Sequence, residues 1–198
     1  IGEIVDYIVY MTYDLHGQWD YGNKFVNEGC PNGNCLRSHV NMTETNYALA
    51  MITKAGVPTN KIAVGLARYG RSFEMTKAGC TGPECTFTGP KSGAWPGQCT
   101  DTRGYISNWE IRQLIAKADN GESGLKVKQI DSKEGDVVIF NDKQWVSWLN
   151  NNNFLERLFK FNNEKWVGTV EWAADLNWNS NGPGNDDPDE GSWDEDDD

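Results

Sequence analysis

The chain has 198 residues, enough for one domain with a sizeable core or for a piece of a larger one. Its formal net charge is -11, but nine acidic residues fall within 186–198 with no Lys or Arg among them, so the body is near neutral and the acidity reads as a disordered tail over 179–198. The absence of a basic stripe or nucleic-acid motif argues against DNA or RNA as a partner, and no apolar run approaches the roughly 18 residues of a membrane span.

The chain opens on Ile1-Gly2-Glu3-Ile4, with no initiator methionine and no charged leader, so a piece of a longer protein is expected. Ile4 to Met11 is nearly continuous in Ile, Val and Tyr, the pattern of a parallel strand buried on both faces. A long polar loop follows to about Asn41. Thr43 to Ala55 reads as a helix, with Tyr47, Leu49, Ala50 and Ile52 on its apolar side and Gly56 and Pro58 as its stop. Lys61 to Leu66 is the next strand, and strand–helix–strand order predicts an α/β repeat with parallel strands.

After Phe73 the pattern changes. Turn-rich segments run to about Asp136, interrupted by a helix near Ser107 to Ala118, and a β-type stretch follows at Val137 to Phe140. Some sixty structureless residues are improbable inside a compact domain, so an inserted α+β module is expected over 73–136. The α/β theme then resumes over 137–178. Phe154 to Phe161 reads as a short helix, and Trp166 to Trp172 as another buried strand.

Five cysteines occur: Cys30, Cys35, Cys80, Cys85 and Cys99. C-x4-C appears twice in Gly/Pro/Asn-rich loops. Zinc sites usually recruit nearby histidines or use tighter knuckles, and the chain has only His16 and His39, so local disulfides of a secreted protein are the preferred reading. The fifth cysteine would then pair outside the chain. Asn41-Met42-Thr43 is a glycosylation sequon, which agrees with secretion, although Asn41 or Thr43 can also cap the following helix.

Three segments then carry a resemblance. Met11-Thr12-Tyr13-Asp14-Leu15-His16-Gly17-Gln18-Trp19 resembles the M-T-Y-D-x-H-G-x-W that ends the sixth barrel strand of family-18 glycoside hydrolases, the chitinases. Val64 to Phe73 is similar to that family's seventh strand and its exit, G-L-x-x-Y-G-R-S-F. Gly168-Thr169-Val170-Glu171-Trp172-Ala173-Ala174-Asp175-Leu176 resembles the eighth strand, whose last tryptophan floors the active site. All three come in the family's order over about residues 4 to 178. The family often carries a chitinase insertion domain between the second and third segments, where the module above lies. Loop and insertion look most like fungal chitinases related to the chitinase-like subunit of yeast killer toxins.

The resemblance implies an α/β fold: a partial (β/α)8 TIM barrel, strands six to eight, with an inserted α+β domain. Barrel active sites sit at the C-terminal ends of the strands, where all three motifs end. It also implies hydrolysis of β-1,4-linked N-acetylglucosamine in chitin, outside the cell, with no metal or organic cofactor. In this family the substrate's acetamido oxygen is the nucleophile. Tyr13 and Asp14 are the implied catalytic residues, Tyr13 on the acetamido group and Asp14 on a neighbouring hydroxyl or acetamide. Asp14 can face the site only if the strand ends or bulges there. Met11, Trp19, Tyr69, Arg71 and Trp172 are the implied substrate-binding residues, with Trp172 beneath the distorted sugar. His16 is expected to stabilise the loop, and Gly65 and Gly70 to permit close packing or a positive φ.

Two departures stand out. Ala67-Arg68 lacks a proline many relatives have, and Asn150 to Asn153 replaces an acidic turn. The family's D-x-x-D-x-D-x-E run, which holds the glutamate that protonates the leaving oxygen, is absent from these 198 residues. Asp186-Asp187-Pro188-Asp189-Glu190 follows no apolar strand and is rejected as that site. The chain is therefore read as the part of a chitinase that holds the reacting sugar. The rival is a non-hydrolytic chitin-binding protein, such as a chitinase-like lectin or killer-toxin targeting subunit.

Overall fold

A computed structural model describes residues 2–26, 28–121 and 124–177. The acidic tail lies outside these described residues. Strands β1 (Ile8–Tyr10), β2 (Ile62–Ala67) and β8 (Gly168–Trp172) form a three-stranded parallel sheet in the order β1-β2-β8. Helix α1 (Met42–Lys54) connects the first two strands, and α3 (Asn151–Asn163) precedes the last.

The second sheet is antiparallel. It contains β3 (Tyr69–Glu74), β4 (Ile106–Ser107), β5 (Val127–Ile130), β6 (Asp136–Phe140) and β7 (Gln144–Trp148), in the order β4-β3-β7-β6-β5. Helix α2 (Asn108–Asp119) follows β4. The strand expected over Lys61 to Leu66 is β2, and the exit that follows it is a second strand, β3, in the other sheet, so the chain changes sheet at Arg68. The module expected over 73–136 is part of a sheet that reaches from Tyr69 to Trp148, so its edges lie outside those bounds. Gln144–Trp148 went unread as a strand because all five of its residues are buried, which leaves no polar alternation to see.

The burial expected for Ile4 to Met11 and for Trp166 to Trp172 is not found; of the three parallel strands, only β2 is buried throughout. All six residues of β2 are buried between its two neighbours. β1 and β8 are edges, and Val9 and Trp172 are 45% and 59% exposed. The expected strand from Ile4 to Met11 shortens to three residues for the same reason: only β2 pairs with it.

Capping explains the helix boundaries. Asn41 accepts from the Glu44 N–H and starts α1 one residue before the expected Thr43. Ser107 and Glu110 form a reciprocal capping box on α2. The asparagine run is the start of α3: the Asn150 side chain accepts from Asn153 N at 2.8 Å, and Asp136 takes Asn150 N and the Asn153 amide. The Cys30–Cys35 and Cys80–Cys85 disulfides close the two C-x4-C loops, and Cys99 is free and exposed. Both sulfurs of the Cys80, Glu84, Cys85 group are thus bonded to each other rather than available as thiolate ligands.

Three apolar clusters follow. The first joins α1, β2 and α3 through Leu49, Ile62, Val64, Leu66, Phe154 and Phe161, and reaches into the second sheet at Tyr69. The second sheet has a cluster on each face, because residues alternate along its strands. Phe73, Ile139 and Trp145 meet Phe87 on one face; Val138, Phe140 and Val146 meet Ile111 of α2 on the other.

Candidate active site at the C-terminal ends of the parallel strands

Parallel register brings the three sequence segments to one end of the first sheet. Tyr10 pairs with Val64, and Ala67 pairs with Trp172. β1 ends at Tyr10, and the Thr12 hydroxyl then donates to Gly65 O at 2.6 Å, tying the outgoing chain to β2. Tyr13 lies flat against that strand. A Cβ on Gly65 would stand 2.7 Å from the Tyr13 ring, so glycine is required there for close approach. Gly70 has the same cause: a Cβ would meet Val146 at 2.6 Å and Ser147 O at 2.8 Å.

Asp14 follows with φ +58°, in the left-handed region that few non-glycine residues adopt. The strand has ended, which is the condition for Asp14 to share a site with Tyr13. Its carboxylate is the hub. Arg71 grips it with two prongs, Nε to Oδ1 at 2.8 Å and Nη2 to Oδ2 at 2.7 Å, and the Tyr69 hydroxyl donates to Oδ1 at 2.7 Å. A carboxylate offers about four lone-pair positions, so one remains for a further donor. The Asp14 side chain is 35% exposed, which leaves that position reachable.

Electrostatics fix the protonation states. Burial alone would raise the Asp14 carboxyl, yet the hydrogen bonds from Arg71 and Tyr69 and the charge of Arg71 hold it well below the usual carboxylate range. Burial and the Asp14 charge push both tyrosine hydroxyls up, so Tyr13 and Tyr69 stay protonated donors. His39 lies beneath, fully buried, with Nδ1 3.3 Å from Asp14 N and 3.6 Å from Asp14 Oδ1. Burial lowers its pKa and keeps the ring neutral.

Aromatic rings surround Arg71. Its guanidinium carbon lies 4.9 Å from the Trp19 ring, 5.4 Å from Tyr69 and 5.5 Å from Tyr105. Trp19 folds back over Gly17, where any Cβ would stand within 2.4 Å of the indole. His16 anchors the same loop. Its Nδ1 meets Asp20 and its Nε2 meets Glu44 of α1, both at 2.9 Å. Burial would lower its pKa, but the two carboxylates raise it to about 9, so the ring is a buried imidazolium.

The expected residues divide accordingly. Asp14, Tyr69 and Arg71 share one hydrogen-bond network, with Tyr13 edge-on to Tyr69 at 6.0 Å between ring centroids and Trp19 over Arg71. Trp172 and Met11 are open, with Met11 67% exposed, and stand at the same strand-end edge outside that network. Arg68, where the proline is lacking, donates its N–H to Trp172 O at 2.8 Å; a proline there has no such donor. Its side chain bridges to Glu171 and lies over Phe154. His39 and Tyr105 were missed. Neither sits in a motif, and only the fold brings them to Asp14 and Arg71.

The arrangement is chemically suited to hydrogen-bonding a neutral, hydroxyl-bearing group. It combines an ionised acceptor with a spare lone pair, a protonated phenol and exposed indole surface. No helix among the described residues is long and apolar enough to cross a membrane.

Comparison with known proteins agrees with the geometry. The sequence model of the family described as Glycosyl hydrolases family 18 matches residues 1–177. A secreted chitinase, LysM12, of Penicillium expansum is 47% identical over 179 residues, covering 89% of this chain and 12% of its own length. The killer toxin subunits alpha/beta of Kluyveromyces lactis are 32% identical over 98% of this chain and 16% of theirs. Among solved structures, catalytic domain 2 of the Group II chitinase of Ostrinia furnacalis superposes with a TM-score of 0.64 at 26% identity, over 88% of this chain and 43% of that one. The chain thus spans less than a fifth of these fungal relatives and under half of that solved chain.

Proposed function

Because this chain belongs to the glycosyl hydrolases of family 18, we propose that it is the sugar-gripping part of a secreted chitinase that cleaves β-1,4 linkages between N-acetylglucosamine units. In this reading β1, β2 and β8 are strands six to eight of a (β/α)8 barrel, and the antiparallel sheet with α2 is the insertion domain. The names of the Penicillium expansum relatives, at 45–47% identity, support the hydrolytic reading, whereas the killer toxin subunits stand at 32%. The single observation that carries it is the Asp14 carboxylate, gripped by Arg71 and Tyr69, next in the chain to Tyr13 at the C-terminal ends of the parallel strands.

The family's chemistry then assigns roles. A glutamate outside these residues protonates the leaving glycosidic oxygen. The acetamido oxygen attacks the anomeric carbon as that bond breaks, closing an oxazolinium ring, and water later opens it with retention. Tyr13 donates to the acetamido group as its charge develops. Asp14 uses its fourth lone-pair position to hold a sugar hydroxyl or acetamide N–H, while Arg71 and Tyr69 keep it from turning away. Trp172 and Met11 line the face on which the sugar rests, and Trp19 shields Arg71.

The test is turnover of chito-oligosaccharides by the full-length protein and its Tyr13→Phe variant. Loss of one donor of this kind costs about 10²–10³ in kcat, so a fall of that size with KM within about threefold is expected. Unchanged turnover defeats the role given to Tyr13. Absence of any hydrolysis by the full-length protein defeats the reading as a chitinase.

A further inference from the structure

The second sheet has two faces with different contents. Tyr69, Arg71 and Phe73 point from β3 toward the Asp14 network and Phe87, whereas Ser72 points the opposite way, toward α2. On that far face lies a cavity of about 340 Å³ between α2 and the loop around Trp95. This lies at the lower end of the roughly 300–1,000 Å³ typical of small-ligand sites. Its walls are largely apolar: the indoles of Trp95 and Trp109, and Phe140 and Val146 from the sheet.

Its polar lining is mixed: Ser72, Gln98, Gln113 and Gln144 are neutral, while Glu110 and the exposed Lys117 of α2 carry charge. Ser72 is only 4% exposed, lines the cavity, and its hydroxyl has no hydrogen-bond partner among the described residues. A buried hydroxyl left unpaired costs about 1–3 kcal/mol, so such a group in a cavity wall is a place for a guest to bond. Gln144 spends its carbonyl on Trp95 N at 2.8 Å, which leaves its amide N–H groups to donate. Gln113 of α2 contributes another amide. Glu110 is present too, but its oxygens are taken by Cys99 N, Thr100 N and the Ser107 N–H and hydroxyl. That carboxylate is therefore spent on the cap and recruits no cation.

Paired indoles suit the C–H faces of a pyranose, and serine and glutamine suit neutral hydroxyl and acetamido groups. We propose that this cavity binds one N-acetylhexosamine ring, a second sugar site on the face of the inserted sheet turned away from Asp14. The choice of sugar rests on the reading of the substrate given above; the existence of the site rests on the cavity and its unpartnered Ser72. Such a site would hold a neighbouring stretch of polymer while the strand-end site works on another.

Calorimetric titration of the full-length protein with N,N′-diacetylchitobiose tests it. Leu114→Trp fills the cavity from α2, and this variant is expected to bind one fewer disaccharide per chain than the wild type. Gln113→Ala, a mild change on a half-exposed helix position, is expected to weaken that same site at least fivefold and spare the others, which covers a Leu114→Trp variant that fails to fold. Equal stoichiometry and affinity in wild type and both variants overturns the second site and leaves the strand-end reading intact. Absence of disaccharide binding in the wild type overturns both.

Discussion

The two sheets of this protein solve opposite problems. The antiparallel sheet is closed over on both faces: its strands are short, and each face has its own apolar cluster. The parallel sheet is covered on only part of its surface, with β2 fully buried but Tyr7, Val9, Val167 and Trp172 of its edges exposed. Parallel strands need crossovers and two neighbours to be buried, and the edge strands here have one neighbour each. The lesson is that the Asp14 network is shared between a sheet left open at its edges and one covered on both faces. The open sheet presents chain ends carrying Tyr13, Asp14 and Trp172. The closed sheet reaches over with Tyr69 and Arg71 to hold the Asp14 carboxylate in place.

The sharpest way to break that comparison is to cut the tie between the sheets. Asp14→Ala strands the partly buried guanidinium of Arg71 without its counter-charge. Breaking such a pair from one side costs about 3–5 kcal/mol, and chemical denaturation should show it. A loss below 1 kcal/mol would mean that the two sheets are joined by packing alone. Phe140→Ala comes next. It opens the α2-side cluster of the closed sheet and should cost about 3–4 kcal/mol in the same measurement.

The third test uses pH. His16 in the folded protein titrates at about 9, against about 6.5 when unfolded. The folded pKa is the higher one, so its contribution is fully present below about pH 6.5 and disappears as the pH rises through 9. It is worth on the order of 2 kcal/mol, and His16→Gln should flatten the alkaline fall in melting temperature. An identical alkaline profile in that variant would show that the loop is held by other contacts. The smallest effect belongs to the open edge: Val9→Thr should change stability by less than about 0.5 kcal/mol, because the side chain is nearly half in water. A larger loss would show that the β1 edge is covered in the intact protein.

Much of this was legible in the residues. Helices α1 and α2 were located within a residue or two, because Asn41, Ser107 and Glu110 are strong local start signals and Gly56 a strong stop. Asp14, Tyr69 and Arg71 were chosen from motifs, and they do meet. The change of sheet at Arg68 was not legible, because the pairing of Arg71 to Glu74 with Gln144 to Ser147 joins residues some seventy positions apart. Nor was His39, a single histidine in a polar loop until the fold places it under Asp14.

Local chemistry, then, is what the sequence by itself determined: strand and helix periods, caps, cysteine loops and the motifs that name the family. These depend on neighbours within a few positions, and their signals are written there. Tertiary structure alone decided which strands are edges, which face of β3 turns toward Asp14, and that Ser72 faces a cavity with no hydrogen-bond partner among the described residues. Those outcomes depend on residues 50 to 100 positions apart in the chain, and long-range pairing carries no mark in any one stretch of it.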